Sequence, residues 1–319
     1  MAVLVGIDEA GFGPILGPLV VSSSTFSLPY NLLASDLWEI LVKSVGNRRQ
    51  RLAGRLLIAD SKKAYNKTVG IKHLERTILA ILSCLGREPT TLSELLQMLC
   101  PDCLKRLSDY PWYKDVQNYS LSTDTADRAI ASMVLTDDLA SNGIELQQLN
   151  SCCLDVAYYN KMVSTVNNKA SVLFTATSKL IQLARDNFAG EELNIIIDRQ
   201  GGRKHYRKNL QRMFPDMSLR IIRESPAVSS YELQTVAGAM RVHFVVGADG
   251  QYLPVSLASM VSKYLRELLI GSINRFFAGF RPDLKPTAGY WEDGLRFIED
   301  LKTNLPHIKF DQNQLIRCR

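Results

Sequence analysis

No apolar run in this chain of 319 residues approaches the roughly 18 residues that cross a bilayer, which argues against a helical membrane span. Histidine is scarce. His73, His205, His243 and His307 are scattered without metal-ligand spacing, so a histidine-built centre finds no support. Six cysteines do not make a disulfide framework, since Cys152 and Cys153 are neighbours while Cys84 and Cys318 stand alone. Cys100-Pro-Asp-Cys103 has a zinc-like spacing, yet no second such pair and no paired histidine follows it. There is no internal repeat and no low-complexity segment. Met1-Ala2-Val3 runs straight into an apolar stretch, which leaves no room for a signal sequence. A cytoplasmic location, with no membrane partner, is the expectation.

What remains is ordinary globular material: 46% hydrophobic and 22% charged residues, long enough for one large domain or a domain with a sizeable insertion. The net charge of +6 is compatible with a polyanionic partner without demanding one. Val3 to Ile7 and Leu19 to Phe26 read as antiparallel strands joined by a Gly/Pro loop. A basic linker (Arg48, Arg49, Arg51, Arg55) precedes Leu56 to Lys63, and Val69 to Cys84 has the apolar spacing of an amphipathic helix. Residues 86 to 150 carry helical patterns at Leu92–Leu99 and Ala126–Leu139 but no recognisable chemistry, and are expected to form an inserted subdomain or lid. Leu154 to Phe188 reads as a long helical region, and Leu193 to Ile197 as a strand buried on both faces. Leu219–Arg223 and Val242–Val246 read as strands, Pro254–Ile270 and Trp291–Leu301 as helices. Strands alternating with helices indicate an α/β sandwich.

The most informative stretch is Gly6-Ile-Asp8-Glu9-Ala-Gly11-Phe12-Gly13-Pro-Ile-Leu-Gly17-Pro18. Side chains alternate along a strand, so one of the adjacent acids must point inward or sit at the strand's end. There it needs a partner, and a divalent cation is one. Capping of a following helix is the competing reading. Asp198 ends the buried strand, and Asp249 lies in a turn beyond another. Acids at three strand ends would repel one another in a low-dielectric site unless two Mg²⁺ or Mn²⁺ ions neutralised them. Such an ion pair suits in-line phosphoryl displacement. Asp249 beside Gly250 also fits a plain turn, Lys62 and Lys63 fit solvated lysines, and Tyr290 fits a core or surface tyrosine. The run Arg199 to Lys208 fits either a solvated face or a phosphate contact.

The opening string resembles the first strand and loop of the type 2 ribonucleases H (ribonuclease HII and the catalytic subunit of the archaeal and eukaryotic ribonuclease H2). Asp60-Ser-Lys62, the stretch Ala248 to Arg266, and Gly289-Tyr290 resemble further motifs of that family, in the same order. The resemblance implies a ribonuclease H-like fold: a mixed five-stranded sheet, three antiparallel strands first, flanked by helices. It implies metal-dependent endonucleolytic cleavage of RNA in RNA–DNA hybrids, or at ribonucleotides embedded in DNA, leaving 5′-phosphate ends. It makes Asp8, Glu9, Asp198 and Asp249 the catalytic metal ligands. Gly11, Phe12 and Gly13 would face the ribonucleotide 2′-hydroxyl, Tyr290 its sugar, and Lys62 a phosphate, with Lys263 near the helix supporting Asp249. Three features depart from the family. Phe12 stands where the family usually has Arg, Glu267 where it has Asp, and residues 86 to 150 have no obvious counterpart. Two alternatives therefore stand beside the hybrid: a same-fold nuclease acting on branched or plain DNA, and a catalytically inactive nucleic-acid-binding protein.

Overall fold

Alternate side chains of the first strand serve two different cores. Val3, Val5 and Ile7 join one buried cluster and Leu4 the other, as a strand covered on both faces requires. The computed structural model describes residues 1–65, 70–121, 124–235 and 238–318. Its strands are β1 (Ala2–Ala10), β2 (Leu19–Leu28), β3 (Val45–Gly46), β4 (Leu56–Leu57), β5 (Glu145–Leu154), β6 (Glu192–Asp198), β7 (Ser218–Glu224), β8 (Val228–Thr235) and β9 (Gly238–Val245). Seven of them form one sheet in the order β5-β2-β1-β6-β9-β8-β7, and β3 pairs with β4 separately.

Antiparallel β5, β2 and β1 come first, and β6 and β9 then run parallel to β1. This is the expected mixed five-stranded sheet, widened by the antiparallel additions β8 and β7. Neither β5 nor β8 is legible by apolar alternation. β5 leans on a single neighbour at the sheet edge, so polar Gln147, Gln148 and Asn150 are tolerated there. In β8 the inward positions are Ser229, Tyr231 and Leu233, a pattern too polar to stand out.

Helices cover both faces. Before β5 come α1 (Leu37–Ile40), α2 (Ser61–Ala64), α3 (Lys72–Cys84), α4 (Leu92–Leu99), α5 (Leu104–Leu107) and α6 (Thr125–Ser141). After it come α7 (Val156–Val166), α8 (Lys169–Asn187), α9 (Arg207–Met213), α10 (Leu253–Ala278), α11 (Trp291–Asn304) and α12 (Gln312–Leu315). Val69, the expected start of the amphipathic helix, lies outside the described residues. The expected helical region from Leu154 is two helices, because Asn167 takes a left-handed φ of 49° and Asn168 caps α8 through Ser171 N. Residues 86 to 150 hold α4, α5, α6 and the first half of β5, and Trp112 from this stretch packs edge-on against Phe276 of α10. Among the described residues no helix is long and apolar enough to cross a membrane.

Helix α10 lies directly on β1 and β2. A Cβ on Gly6 would sit 2.2 Å from the Pro254 carbonyl carbon, so only glycine lets the helix start meet the strand backbone. Serines fill the rest of this seam. Ser24 Oγ donates to Pro254 O at 2.7 Å, and Ser262 Oγ lies 2.8 Å from Ser22 Oγ, which is itself 2.8 Å from Ser151 Oγ on β5. Buried hydroxyls paired this way cost little and keep the layers close. Gly6→Ala is therefore expected to destabilise the fold by about 3 kcal/mol through backbone overlap. Gly13→Ala, with no heavy atom within 4 Å of its added carbon, is expected to leave stability nearly unchanged. Paired chemical denaturation of the two variants checks this, and equal losses would overturn it.

Candidate active site

Strand pairing sets the geometry of the acids. The parallel register of β1 and β6 ends at Ile7 opposite Ile197, so Asp8 and Asp198 are the next residues of adjacent strands. Asp198 in turn stands opposite Val245 of β9. The chain then turns through Gly247, at φ 62°, into a single 3₁₀ turn, Ala248–Gly250, that carries Asp249. Ala248 N donates to Asp198 Oδ1 at 2.7 Å and ties that turn to the end of β6. Helix α10 holds the other side. Ser262 Oγ donates to Asp8 O at 3.0 Å, Ser259 Oγ donates to Ser61 Oγ at 3.0 Å, and Ser256 Oγ donates to Asp249 O.

The result is a set of interacting carboxylates at one end of the parallel strands. Asp8 is buried, only 6% exposed, and burial first, then Glu9 and Asp198, hold its carboxyl well above the ordinary range. Burial and repulsion from Asp198 push Glu9 up to about 7. Burial also raises Asp198, against the Ala248 amide and the Lys62 ammonium, which lower it. Asp249 is pushed up to about 6 by burial and by Asp60 and Asp198. Asp60 is thus a fifth acid of the site. In the sequence only Lys62 of this segment stands out as a candidate, since Asp60 ends no apolar strand of the length that flags Asp198. Asp60 is both helix cap and site acid: its side chain accepts from Lys62 N at 2.9 Å at the start of α2, and its charge raises the proton affinity of Asp249.

Among the described residues no three His, Cys, Asp or Glu side chains already stand at the spacing of an assembled metal cage. The donor set nevertheless fits hard divalent cations. Every candidate ligand is a carboxylate, and each is destabilised by its neighbours' charge, which is the condition a cation relieves.

The glycine loop meets the segment of Tyr290. Ile15 N and Leu16 N both donate to Gly289 O, at 2.9 and 3.2 Å. Gly11 takes φ 92°, and a Cβ there would come within 2.7 Å of Arg266 Nε. Phe12 is half-buried against the β1–α8 core, with Lys169 Nζ 5.4 Å from its ring centroid. Tyr290 is 52% exposed and precedes α11, with the Arg266 guanidinium 5.5 Å from its ring centroid. Lys62 is exposed beside the acids. Lys263 is not among them: its ammonium is committed to Glu267 Oε1 at 2.7 Å and to the Tyr65 ring. In the basic run, Arg199 donates to Pro226 O at 2.5 Å and Arg203 lies over Tyr206, while Arg207 and Lys208 are exposed.

The chain matches no protein-family model and no curated protein. Among solved structures it is similar to RNase HII from Archaeoglobus fulgidus, in a complex with PCNA, at 14% identity and TM-score 0.46, covering 99% of this chain and 94% of that one. It is similar to Bst-RNase HIII in complex with Mn²⁺ at 15% identity and TM-score 0.46, covering 99% of this chain and 66% of that one. Ribonuclease H2 from Pyrococcus horikoshii OT3 is a third, at 13% identity and TM-score 0.42, with 98% and 92% covered.

The raised acids make a pH prediction. Between the ordinary value of 4.5 and about 7 for Glu9, and between 3.8 and about 6 for Asp249, the folded chain holds more protons than the unfolded one. Stability is then lost as pH rises through that window. In chelator, the melting temperature is expected to fall between pH 5 and pH 7.5, and Asp249→Asn to raise it by about 2 °C at the upper end. A melting temperature that climbs across the same interval in wild type would refute this account of the site.

Proposed function

We propose that this chain is a metal-dependent endonuclease that hydrolyses RNA in RNA–DNA hybrids or at ribonucleotides embedded in duplex DNA. One observation carries the reading. Asp8 and Glu9, Asp198, and Asp249 arrive from three stretches of chain at one end of β1, β6 and β9, where burial first and neighbouring carboxylates second raise their proton affinity. A packed core gains nothing from buried like charges, and sites that bind divalent cations for phosphoryl chemistry need them.

Two Mg²⁺ or Mn²⁺ ions would be held by these four carboxylates, with Asp60 beside Asp249. When bound, such ions supply charge stabilisation to the attacking and leaving oxygens of an in-line displacement. The rest is done by the chain's own groups. Lys62, exposed beside Asp198 and Asp249, attracts a backbone phosphate. Gly11 and Gly13 let the loop backbone approach the sugar edge, where the 2′-hydroxyl distinguishes RNA from DNA. Tyr290, half-exposed and adjoining the loop through Gly289, offers a ring to the sugar at the scissile step. The products are 5′-phosphate and 3′-hydroxyl ends.

Phe12 favours a second reading, cleavage of branched or plain DNA, because its ring turns into the α8 side and offers the loop no hydrogen bond. One panel separates the two: a hybrid, duplex DNA with a single ribonucleotide, and all-DNA duplex, each with Mg²⁺ or Mn²⁺. Cleavage of the first two with the third intact is expected, and Asp198→Asn is expected to slow it about 100-fold or more. Cutting of the all-DNA duplex at the same rate selects the second reading. No cutting of any substrate, with no divalent cation bound, leaves only a catalytically inactive nucleic-acid-binding protein.

A further inference from the structure

Two arginines are buried among the described residues, Arg266 and Arg317, and both sit against the glycine loop. They differ in their partners. Arg266 has Glu267 at 3.3 Å. Arg317, only 4% exposed, has no carboxylate within ion-pair distance among the described residues. Its Nη2 donates to Gly11 O at 2.5 Å and to Pro14 O, and its plane lies 4.9 Å from the Tyr159 ring centroid. Its Nε and Nη1 are buried with no hydrogen-bond partner among the described residues. Burial lowers its pKa only to about 10, so it stays a cation at neutral pH. A buried guanidinium with two unused donors is costly unless an anion meets it.

The space for that anion is present. Arg317 lines a cavity of about 190 Å³ together with Phe12, Gly13, Tyr159, Lys169 and Cys318. That is about six times the 30 Å³ share of one water, room for a tetrahedral oxyanion. Lys169 brings a second cation, exposed and in no ion pair among the described residues. It is also the first residue of α8, the wrong end of a 19-residue helix for a positive side chain. That placement repels a cation and suits an anion bound beside it. Gly13 is exposed and leaves the mouth of the cavity clear.

We propose that the Arg317–Lys169 cavity binds one backbone phosphate of the polynucleotide, next to the acids that would cut it. The polynucleotide in this inference rests on the proposed function; the anion site does not. Both can be tested on the metal-free chain in chelator, where cleavage plays no part. Titration with inorganic phosphate, followed by calorimetry and ³¹P line broadening, is expected to show one saturable site. Lys169→Gln, an exposed change that leaves the Arg317 hydrogen bonds alone, is expected to weaken it about 5- to 10-fold. Arg317→Lys, which keeps the charge and loses the fork, is expected to weaken it further, with the melting temperature reporting whether the loop stays folded. In parallel, the salt dependence of hybrid binding is measured. Lys169→Gln is expected to reduce the slope of log K against log salt by about 1.

Phosphate binding with an unchanged salt slope would overturn the backbone assignment and leave a site for free phosphate groups. No saturable phosphate binding would overturn the site altogether. A chain that binds phosphate here but neither binds nor cuts any duplex would instead sink the proposed function, with the cavity still an anion site.

Discussion

Parallel pairing between β1 and β6 is the constraint on which the rest depends. It forces Asp8 and Asp198 to be neighbours at the end of a sheet whose faces are both covered, where neither can reach bulk water freely. Hydrophobic burial of Val3, Val5, Ile7, Ile195 and Ile197 drives the two strands together, and the acids are carried along at their ends. Core packing thus overcomes electrostatic repulsion. A pair of adjacent strands contributes several buried aliphatic side chains at roughly 1.5–3 kcal/mol each, more than the cost of holding carboxyls protonated or weakly paired.

Helix α10 converts that local repulsion into a shaped site. Because Gly6 admits its first turn to backbone contact, the helix runs close enough for Ser262 to bond the Asp8 backbone from one side while Ser256 holds the Asp249 backbone from the other. Small residues on a long helix usually read as a packing convenience. Here they also set how far apart the acids stand, since each hydroxyl fixes a backbone oxygen of the site.

Much of this was legible in the sequence, for identifiable reasons. A buried strand ending in Asp198 and an apolar strand ending in Asp8-Glu9 are strong local signals, since both break the hydrophobic pattern at a strand's end. Helix α3 followed from apolar spacing. The edge strand β5 did not, because one-sided pairing imposes no apolar alternation on Gln147, Gln148 and Asn150. Asp60 stands at the start of a short helix that it caps, away from any strand end, and the pairing of Lys263 with Glu267 depends on helix geometry one turn on. Arg317 was invisible for a different reason. Nothing near it in the sequence hints that it closes on Gly11 and Pro14, a contact between residues 306 and 303 positions apart.

That long-range contact changes how the loop should be understood. Phe12 gives the loop an apolar ring where a cation would otherwise be at hand, yet the loop is not short of positive charge. Arg266 reaches it from α10 on one flank, and Arg317 reaches it from the segment after α12 on the other. Arg266 is compensated by Glu267, so its field is largely spent within the fold. Arg317 has no such partner among the described residues, and it lines a cavity together with Lys169. The acids that end β1 are thus followed, within a few residues of backbone, by a loop whose carbonyls hold a guanidinium with no carboxylate partner among the described residues.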